Sequence, residues 1–401
     1  NGALAVFHQA QAGRKRIMRT NVTRLLLSIF SLCALTMSGA VKSADPIKIG
    51  TTQSLTGHYS EFGLEQLRGL QMWATDVNSR GALLGRPVEI VYYDDASTDA
   101  GTVAGFTKLL EQDNVDFLVG PYSSSLTLEA SLVAEEFNTP MISAAASSEK
   151  IWNRGLKNIF GADTPANDYM KGLQIAVEAG AQSIALIYAR TEFGEEVAAS
   201  VRNDTAISIV LDEGYAPEQR DFSGLAQRLG AANPDVIIGV SYFEDSIEIV
   251  RALKTEGVKP KMLGFTAGPG LREFNDQLGS DAEGIVGIVQ WLRSSKKPGA
   301  QDFAYRFSKR YGYNPGVYAV IGYSAGEILE AAVRLANTVD HDAVREQLNT
   351  MYFRALIGPY DVDDTGRQIG RTNYVLQWQD DRRRLIAPES ASDADLIYPL
   401  Q

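Results

Sequence analysis

Cysteine is nearly absent from this sequence, since the one example, Cys33, lies in an apolar segment near the start of the chain. A single cysteine excludes a disulfide framework and a zinc site built from several thiolates. Histidine is almost as rare: His58 and His341, the two beyond the first 40 residues, lie far apart and show no HExxH spacing. The sequence therefore predicts no metal site.

An excess of positive charge is also missing. The formal net charge is −11, and the first 40 residues contain five basic and no acidic residues, so the remainder is more acidic still. Such a surface repels nucleic acid and anionic membranes, and neither is an expected partner. The sequence also lacks a Walker A pattern and a GxGxxG fingerprint, so that no nucleotide cofactor is predicted.

The chain begins with a pattern typical of a secretory signal peptide. Met18 is the expected start, and residues 1–17 are set aside as a non-native or mis-translated leader. Residues 18–40 contain basic residues, an apolar run from Leu25 to Met37, and Ser38-Gly39-Ala40 at the end. That run is shorter than the roughly 20 residues that span a bilayer. Since Cys33 follows Phe-Ser-Leu rather than a small residue, a free periplasmic protein is expected instead of a lipoprotein.

Short strand-like runs alternate with helical periodicity over most of the chain. Ile47–Thr51, Val88–Tyr93 and Asp116–Gly120 are each followed by apolar residues at helical spacing, and the alternation restarts after residues 160–165. Tyr374–Gln379 is predicted as a lone strand before a coil tail. Two blocks of β–α units predict two mostly parallel sheets covered by helices, and ligands of such sheets bind beyond the carboxyl ends of the strands.

Polar and small residues follow two of the predicted strands. Tyr122 and three serines open a helix, where hydroxyls and free backbone N–H groups favour an anion, although one serine suffices for an ordinary N-cap. Residues 143–148 (SAAASS) form an unusually small loop, which either accommodates a ligand or is simply a tight turn. Tyr242 is expected to end a strand, and Phe62 and Phe193 are expected in loops that precede helices. Each of these aromatic residues either contacts a ligand or packs in the core.

Two motifs suggest other chemistry. Residues 322–326 (GYSAG) match the nucleophile elbow of serine hydrolases, but His341 lies too far along the chain to serve Ser324, and the segment also fits one amphipathic helix. Asp361, Asp363 and Asp364 resemble part of a calcium loop without its closing glutamate. An amphipathic helix and a plain acidic turn are the expected structures.

At the residues above, the chain resembles the type I periplasmic binding proteins, specifically the branched-chain amino acid and amide group of ABC-transporter receptors (leucine-binding protein-like). An ordered series of segments carries the resemblance: Lys48–Gly57, Gly81–Asp94, Phe117–Ser125, Thr139–Ser148, Ala185–Gly194 and Asp235–Tyr242. It spans essentially the whole chain after the leader. The implied fold is α/β, with two Rossmann-like lobes joined by three crossovers and a ligand cleft between them.

The resemblance also implies the lobe boundaries. Crossovers are expected near Asp163–Pro165, Gln290–Arg293 and Asp364–Arg367. The first lobe then contains residues 45–163 and 293–364, and the second contains residues 165–290 and 367–401, after a leader and signal peptide in residues 1–40.

The family's ligand-binding positions map onto a few residues of this sequence. The ligand carboxylate is expected at Ser123, beside Ser124, and at the loop Ala145–Ser147, with Ser147 as the hydroxyl donor. Aromatic contacts fall on Phe62, Phe193 and Tyr242. The glutamate that pairs with a ligand ammonium in amino-acid-binding members falls on Thr266, so either Glu244 or Asp168 replaces it or the ligand lacks an amine.

The implied protein is no enzyme but a periplasmic solute-binding receptor of an ABC importer. Its expected partners are a small carboxylate-bearing ligand and an ABC permease of the inner membrane, and it is expected to be a monomer without a cofactor. A branched-chain or other amino acid or an amide is one ligand class, and an aromatic carboxylic acid is the other. A periplasmic ligand sensor and a serine hydrolase acting through Ser324 are the alternatives to transport.

Overall fold

The computed structural model describes residues 45–294 and 297–400. The predicted signal peptide and Cys33 lie outside these residues. Within them, no helix combines the length and the apolar character needed to cross a membrane.

The described residues form three sheets. The strands are, in chain order, β1 (Ile47–Gln53), β2 (Val88–Asp94), β3 (Phe117–Val119), β4 (Met141–Ser143), β5 (Ile159–Gly161), β6 (Ser183–Ala189), β7 (Ser208–Tyr215), β8 (Val236–Val240), β9 (Met262–Phe265), β10 (Val286–Val289), β11 (Phe353–Ala355), β12 (Gly358–Tyr360), β13 (Tyr374–Gln379) and β14 (Arg382–Ala387). The first sheet is parallel with the order β2-β1-β3-β4-β5. The second has the order β14-β13-β10-β9-β8-β6-β7, and β11 pairs with β12 in a small hairpin.

Helices follow most of the strands, as expected for β–α units. They are α1 (Ser60–Ser79), α2 (Asp99–Glu111), α3 (Ser124–Glu136), α4 (Lys171–Glu178), α5 (Glu192–Asp204), α6 (Ser223–Ala232), α7 (Phe243–Thr255), α8 (Glu273–Leu278), α9 (Ala300–Tyr311), α10 (Val317–Ala336) and α11 (His341–Thr350). Short 3₁₀ turns occupy Glu149–Ile151, Ala166–Met170, Gly268–Gly270 and Gly279–Ala282.

The central strands are apolar because helices cover both faces of each sheet. Every residue of β3 and β8 is buried, whereas the edge strand β7 alternates between exposed and partly buried positions. The two mostly parallel sheets that the sequence predicts are confirmed, and they form the two lobes of the predicted α/β fold.

Helices α1 and α10 cross closely enough to require glycine. A Cβ atom on Gly69 would lie 1.9 Å from the carbonyl oxygen of Ala319, and one on Gly322 would lie 2.0 Å from that of Gln66. A Cβ atom on Gly326 would lie 2.1 Å from the Trp73 ring. The two glycines of the GYSAG segment therefore serve helix packing.

The chain passes from the first large sheet to the second after β5, leaves the second after β10 for α10, which packs on α1, and returns to it after β12. The first and third passages are hydrogen-bonded side by side. The N–H of Gly161 donates to the carbonyl of Gly366 at 2.8 Å, and the Thr164 hydroxyl donates to the Asn373 side chain at 2.7 Å. The residue boundaries of the two lobes stay a prediction.

Some local predictions were wrong. Tyr374–Gln379 is not a lone strand, because it pairs antiparallel with β10 on one side and with β14 on the other. Strand β14 lies in the predicted coil tail, where three consecutive arginines obscure the strand pattern. Charged side chains of this kind are common on edge strands, since they discourage pairing with another chain.

The acidic segment near Asp363 forms a turn held by its own carboxylate. Asp363 Oδ1 accepts hydrogen bonds from the N–H and the hydroxyl of Thr365 at 2.9 and 2.6 Å, and from the N–H of Arg367 at 3.2 Å. The carboxylate is thus committed to donors of its own turn, as in an Asx turn.

We predict that Gly322→Ala destabilises the protein by about 3 kcal/mol, because the new methyl group overlaps the backbone of α1. Gly172→Ala is the matched control, since Gly172 also lies in a helix and its Cβ atom would meet only Ile288 at 3.6 Å. Urea unfolding of both variants measures the difference. Equal stabilities of the two variants would contradict the close crossing.

A second prediction concerns Glu65, which joins α1 to α10. Its carboxylate accepts the N–H of Gly316 at 2.6 Å, and burial raises its pKa to about 7 from an ordinary value of 4.5. The folded state therefore takes up a proton between these values, so stability contributed here falls as the pH rises from about 4.5 to 7.

In Glu65→Gln this part of the pH dependence should disappear. We expect the unfolding free energy of the variant minus that of the wild type to increase by about 1–3 kcal/mol between pH 4.5 and pH 8. Urea unfolding at several pH values measures this gain. Glu89→Gln, at an exposed position of β2, is the control and should show no such gain.

Candidate functional site

A small cavity lies where the carboxyl ends of strands from both large sheets meet. Its volume is about 30 Å³, enough for one or two water molecules. A ligand the size of an amino acid therefore requires its walls to separate. The lining residues follow strand ends or open helices and turns: Tyr122, Ser123, Ser124, Ala145, Ser147, Asp163, Tyr169, Phe193, Tyr242, Ala267 and Tyr318.

Ser123 caps helix α3 in an unusual backbone conformation. Its φ is +86°, its hydroxyl accepts the N–H of Leu126 at 3.3 Å, and its own N–H donates to the carbonyl of Ala145. A positive φ at a non-glycine residue costs of order 1–3 kcal/mol and is concentrated at binding sites. The cap leaves the first N–H groups of α3 at the cavity, where the helix dipole favours an anion.

Ser124 holds the small loop after β4 against helix α3. Its hydroxyl oxygen accepts the N–H groups of Ser147 and Ser148, each at 3.1 Å. Two adjacent strand ends of the first sheet are thus joined by one side chain. The serine run and the small loop, which were singled out separately in the sequence, form one polar wall.

Aromatic rings surround this wall. Tyr122 stacks on Phe62 at 4.6 Å between ring centroids and meets Tyr318 edge-on at 5.1 Å. The Tyr242 hydroxyl lies 2.9 Å from that of Thr191, and burial raises the pKa of Tyr242 to about 12. These phenols are therefore neutral hydrogen-bonding groups at physiological pH, and their rings supply apolar area.

Asp163 places a carboxylate at the same cavity. It accepts the N–H of Thr164 at 2.8 Å and the hydroxyl of Ser147 at 3.4 Å, and the Arg371 guanidinium lies 3.8 Å away. Burial raises the pKa of Asp163 to about 6, although Arg371 opposes this shift. The pKa of Arg371 is in turn lowered by burial.

Six of the eight predicted site residues line the cavity, namely Ser123, Ser124, Ala145, Ser147, Phe193 and Tyr242. Phe62 stands behind Tyr122. The Thr266 hydroxyl donates to the carbonyl of Ser241 at 2.9 Å and accepts its N–H at 3.2 Å. The contact of all eight with a ligand stays a prediction.

The two acidic residues considered as replacements for the family's glutamate do not line the cavity. Glu244 is exposed and pairs with Arg220 at 2.9 Å. Asp168 pairs with Lys171 at 2.9 Å and accepts the Thr372 hydroxyl at 2.6 Å. Both carboxylates are therefore committed elsewhere.

Sequence reasoning missed Asp163, Tyr169, Ala267 and Tyr318 as lining residues. Asp163 follows the three-residue strand β5, which was taken as part of a junction. Tyr318 opens α10, where the GYSAG motif drew attention to Ser324 instead. The rule that sites lie beyond strand ends would have found Asp163 had β5 been recognised.

Ser324 has no access to the cavity or to solvent. It lies within α10, it is fully buried, and its hydroxyl accepts the N–H of Ile357 at 2.9 Å. A nucleophile elbow requires a strained turn between a strand and a helix. The segment has neither the turn nor the preceding strand.

Known proteins resemble this chain over most of its length. The periplasmic binding protein family model matches residues 46–383. Leu/Ile/Val-binding protein homolog 7 of Brucella abortus (strain 2308) is 27% identical over 396 residues, covering 93% of this chain and 99% of the relative. The leucine-, isoleucine-, valine-, threonine-, and alanine-binding protein of Pseudomonas aeruginosa is 26% identical, covering 85% and 92%.

Solved structures share the fold. The branched-chain amino acid transporter substrate binding protein LivJ of Streptococcus pneumoniae, in complex with isoleucine, superposes with a TM-score of 0.79 at 20% identity, covering 86% of this chain and all of that one. A solute binding protein of an ABC transporter from Rhodopseudomonas palustris BisB5, in complex with 3,4-dihydroxybenzoic acid, gives 0.76 at 19% identity, covering 88% and 99%.

The polar wall yields a prediction about stability. Ser124→Ala leaves the N–H groups of Ser147 and Ser148 without their acceptor, and we expect a loss of about 1–3 kcal/mol in unfolding free energy. Ser125→Ala, at the neighbouring and partly exposed position, should change it by less than about 0.5 kcal/mol. Denaturant unfolding measures both, and equal effects would show that Ser124 does not hold the loop.

Proposed function

Because the chain belongs to the periplasmic binding protein family, we propose that it captures a small carboxylate-bearing solute outside the cytoplasm and delivers it to an ABC importer. The observation that carries this proposal is the cavity itself. Elements of both large sheets line it, and it combines the capped amino end of α3 with serine hydroxyls and aromatic rings.

The capture mechanism needs no covalent chemistry. The serine hydroxyls and the N–H groups lie in segments that follow strands of the first sheet. Phe193, Tyr242 and Ala267 lie in segments that follow strands of the second. A solute that contacts both sets of groups stabilises the state in which the sheets approach each other. A permease that recognises this closed state then receives only loaded protein.

Two ligand classes remain in the proposal. An amino acid is supported by the names of the Brucella and Pseudomonas relatives and by the isoleucine bound to LivJ. An aromatic carboxylic acid is supported by the tyrosines around the cavity and by the dihydroxybenzoic acid bound to the Rhodopseudomonas protein. A periplasmic sensor of the same fold would bind the same ligands, and permease and ATPase genes beside its own gene would favour transport.

A thermal-shift screen tests the proposal directly. The purified protein without its leader would be heated with amino acids, amides and aromatic carboxylic acids in turn. A ligand that binds only the folded state raises Tm with the logarithm of its excess over Kd. We expect at least one of these compounds to raise Tm, and the absence of any shift across the three classes would contradict the proposed function.

We further predict that Ser123→Ala and Tyr242→Ala each weaken binding of the compound so found by about tenfold or more, because each loses contacts within the cavity. Ser123→Ala also removes a helix cap. Thr98→Ala is therefore its control, since the Thr98 hydroxyl caps α2 by accepting the N–H of Gly101 at 3.1 Å away from the cavity.

Titration calorimetry of the three variants gives the comparison. The Thr98 variant should lose stability but bind as tightly as the wild type. Unchanged affinity in both the Ser123 and the Tyr242 variants would place the binding site elsewhere.

A further inference from the structure

A second cavity lies outside the cleft, between the amino end of α9 and the hairpin of β11 and β12. Its volume is about 210 Å³, several times that of the cavity at the strand ends, and the two cavities share no lining residue. We propose that this second cavity, the α9 cavity, binds a small oxyanion such as phosphate through the side chains of Lys297 and Arg354, which both line it. The site is independent of the proposed function.

Lys297 contributes an ammonium group with a donor to spare. Its Nζ donates to the carbonyl of Gln290 at 3.0 Å and to that of Ile357, whereas an ammonium has three N–H donors. Burial lowers the pKa of Lys297 to about 7, and both charged groups that act on it, Arg371 and Arg354, are cations that lower the pKa in the same direction. An anion at this ammonium would relieve that repulsion.

Arg354 contributes a second, uncommitted cation. It is exposed on β11, and its guanidinium forms neither an ion pair nor a hydrogen bond with another residue that the structure describes. A guanidinium offers five N–H donors in a planar fork, and this geometry suits an oxyanion with two adjacent oxygen atoms. Lys297 and Arg354 thus supply a point charge and a fork on the wall of one cavity.

The amino end of α9 adds to these two cations. This helix contains 12 residues, its N-cap is Gly299, and no side chain caps it. Gly299 lines the cavity, so the first N–H groups of the helix lie beside it without a side-chain acceptor. The helix dipole favours negative charge at this position.

The carboxyl groups that line the cavity are engaged by other partners. Asp302 pairs with Arg306 at 2.7 Å, and Arg306 also pairs with Asp76 outside the cavity. Glu327 accepts the N–H of Leu356 at 2.7 Å, and burial raises its pKa to about 7. Below that pH the Glu327 carboxyl is mostly neutral, and it can then donate a hydrogen bond to an oxyanion instead of repelling it.

A buried arginine beside the cavity increases the excess of positive charge. A Cβ atom on Gly358, which lines the cavity, would lie 3.5 Å from Lys297 Nζ and 3.7 Å from Arg371 Cδ, so both cations approach this glycine. The Arg371 side chain is 5% exposed and lies 3.8 Å from Asp163, and its three guanidinium nitrogens have no hydrogen-bond partner among the described residues. Buried donors normally have one. Asp163 is the one carboxylate ion-paired with Lys297, Arg354 or Arg371 in the part of the chain that the structure describes.

Titration calorimetry at constant ionic strength tests the site, with inorganic phosphate and glycerol 3-phosphate as the two probes. At pH 6.5, below the pKa of about 7 of both Lys297 and Glu327, the ammonium is charged and the carboxyl is mostly neutral. The purified protein should bind at least one probe saturably at one site, and the tighter probe shows whether the site takes the free ion or a monoester. Lys297→Met and Arg354→Gln should each weaken this binding by about tenfold or more, because each removes a charged donor.

Arg382→Gln is the matched control for Arg354→Gln, since Arg382 is also an exposed arginine of a strand and does not line the cavity. It should change the affinity by less than about twofold, because charges far from the site are screened. Ser123→Ala should also leave the affinity unchanged, whereas an anion bound at the amino end of α3 would be lost. If Lys297→Met fails to fold because two carbonyls lose their donor, the exposed Arg354 variant still decides the result.

Three results would overturn the assignment. One is the absence of saturable binding of either probe by the wild type. Another is an unchanged affinity in the folded Arg354→Gln variant. The third is a loss of affinity in Ser123→Ala that Arg354→Gln does not share, which would place the anion in the cleft. Capture of a solute in the cleft is measured with other compounds, so the proposed function would stand after each of these results.

Discussion

Parallel strands end at the same edge of a sheet, and this constraint decides where most polar groups of the cavity lie. Short loops after β3, β4 and β5 bring Ser123, Ser147 and Asp163 to one edge of the first sheet. Loops after β6 and β8 bring Phe193 and Tyr242 to the facing edge of the second. The helices that follow such strands point their amino ends at the same place, so an anion meets unpaired N–H groups there.

Burial gives the few charges near this edge an influence that surface charges lack. The exposed ion pairs of the chain, such as Lys254 with Asp281, contribute little to stability in water. Asp163 and Arg371 are both almost completely buried, and the cost of removing them from water is large unless each compensates the other.

The order of the main elements followed from hydrophobic periodicity, because buried parallel strands and amphipathic helices differ clearly in period. Six of the eight predicted site residues line the cavity for the same reason, since they follow apolar strands that the sequence pattern identifies. Periodicity failed for β5 and for β14, whose three arginines hide its alternation. Because β5 was not recognised as a strand, Asp163 was not predicted as a site residue. The pairing of Asp163 with Arg371 joins residues 208 positions apart, and no local pattern encodes such a contact.

The hydrogen bonds between the first and third passages have a mechanical consequence. Two hydrogen bonds join the first and third passages, one between Gly161 and Gly366 and one between Thr164 and Asn373. We call this hydrogen-bonded pair of passages the strap. Two connections that are bonded together bend together, whereas independent ones would allow the lobes to twist and slide as well. An opening of the cleft, which the proposed function requires, is therefore expected to favour rotation about this strap over twisting or sliding of the lobes.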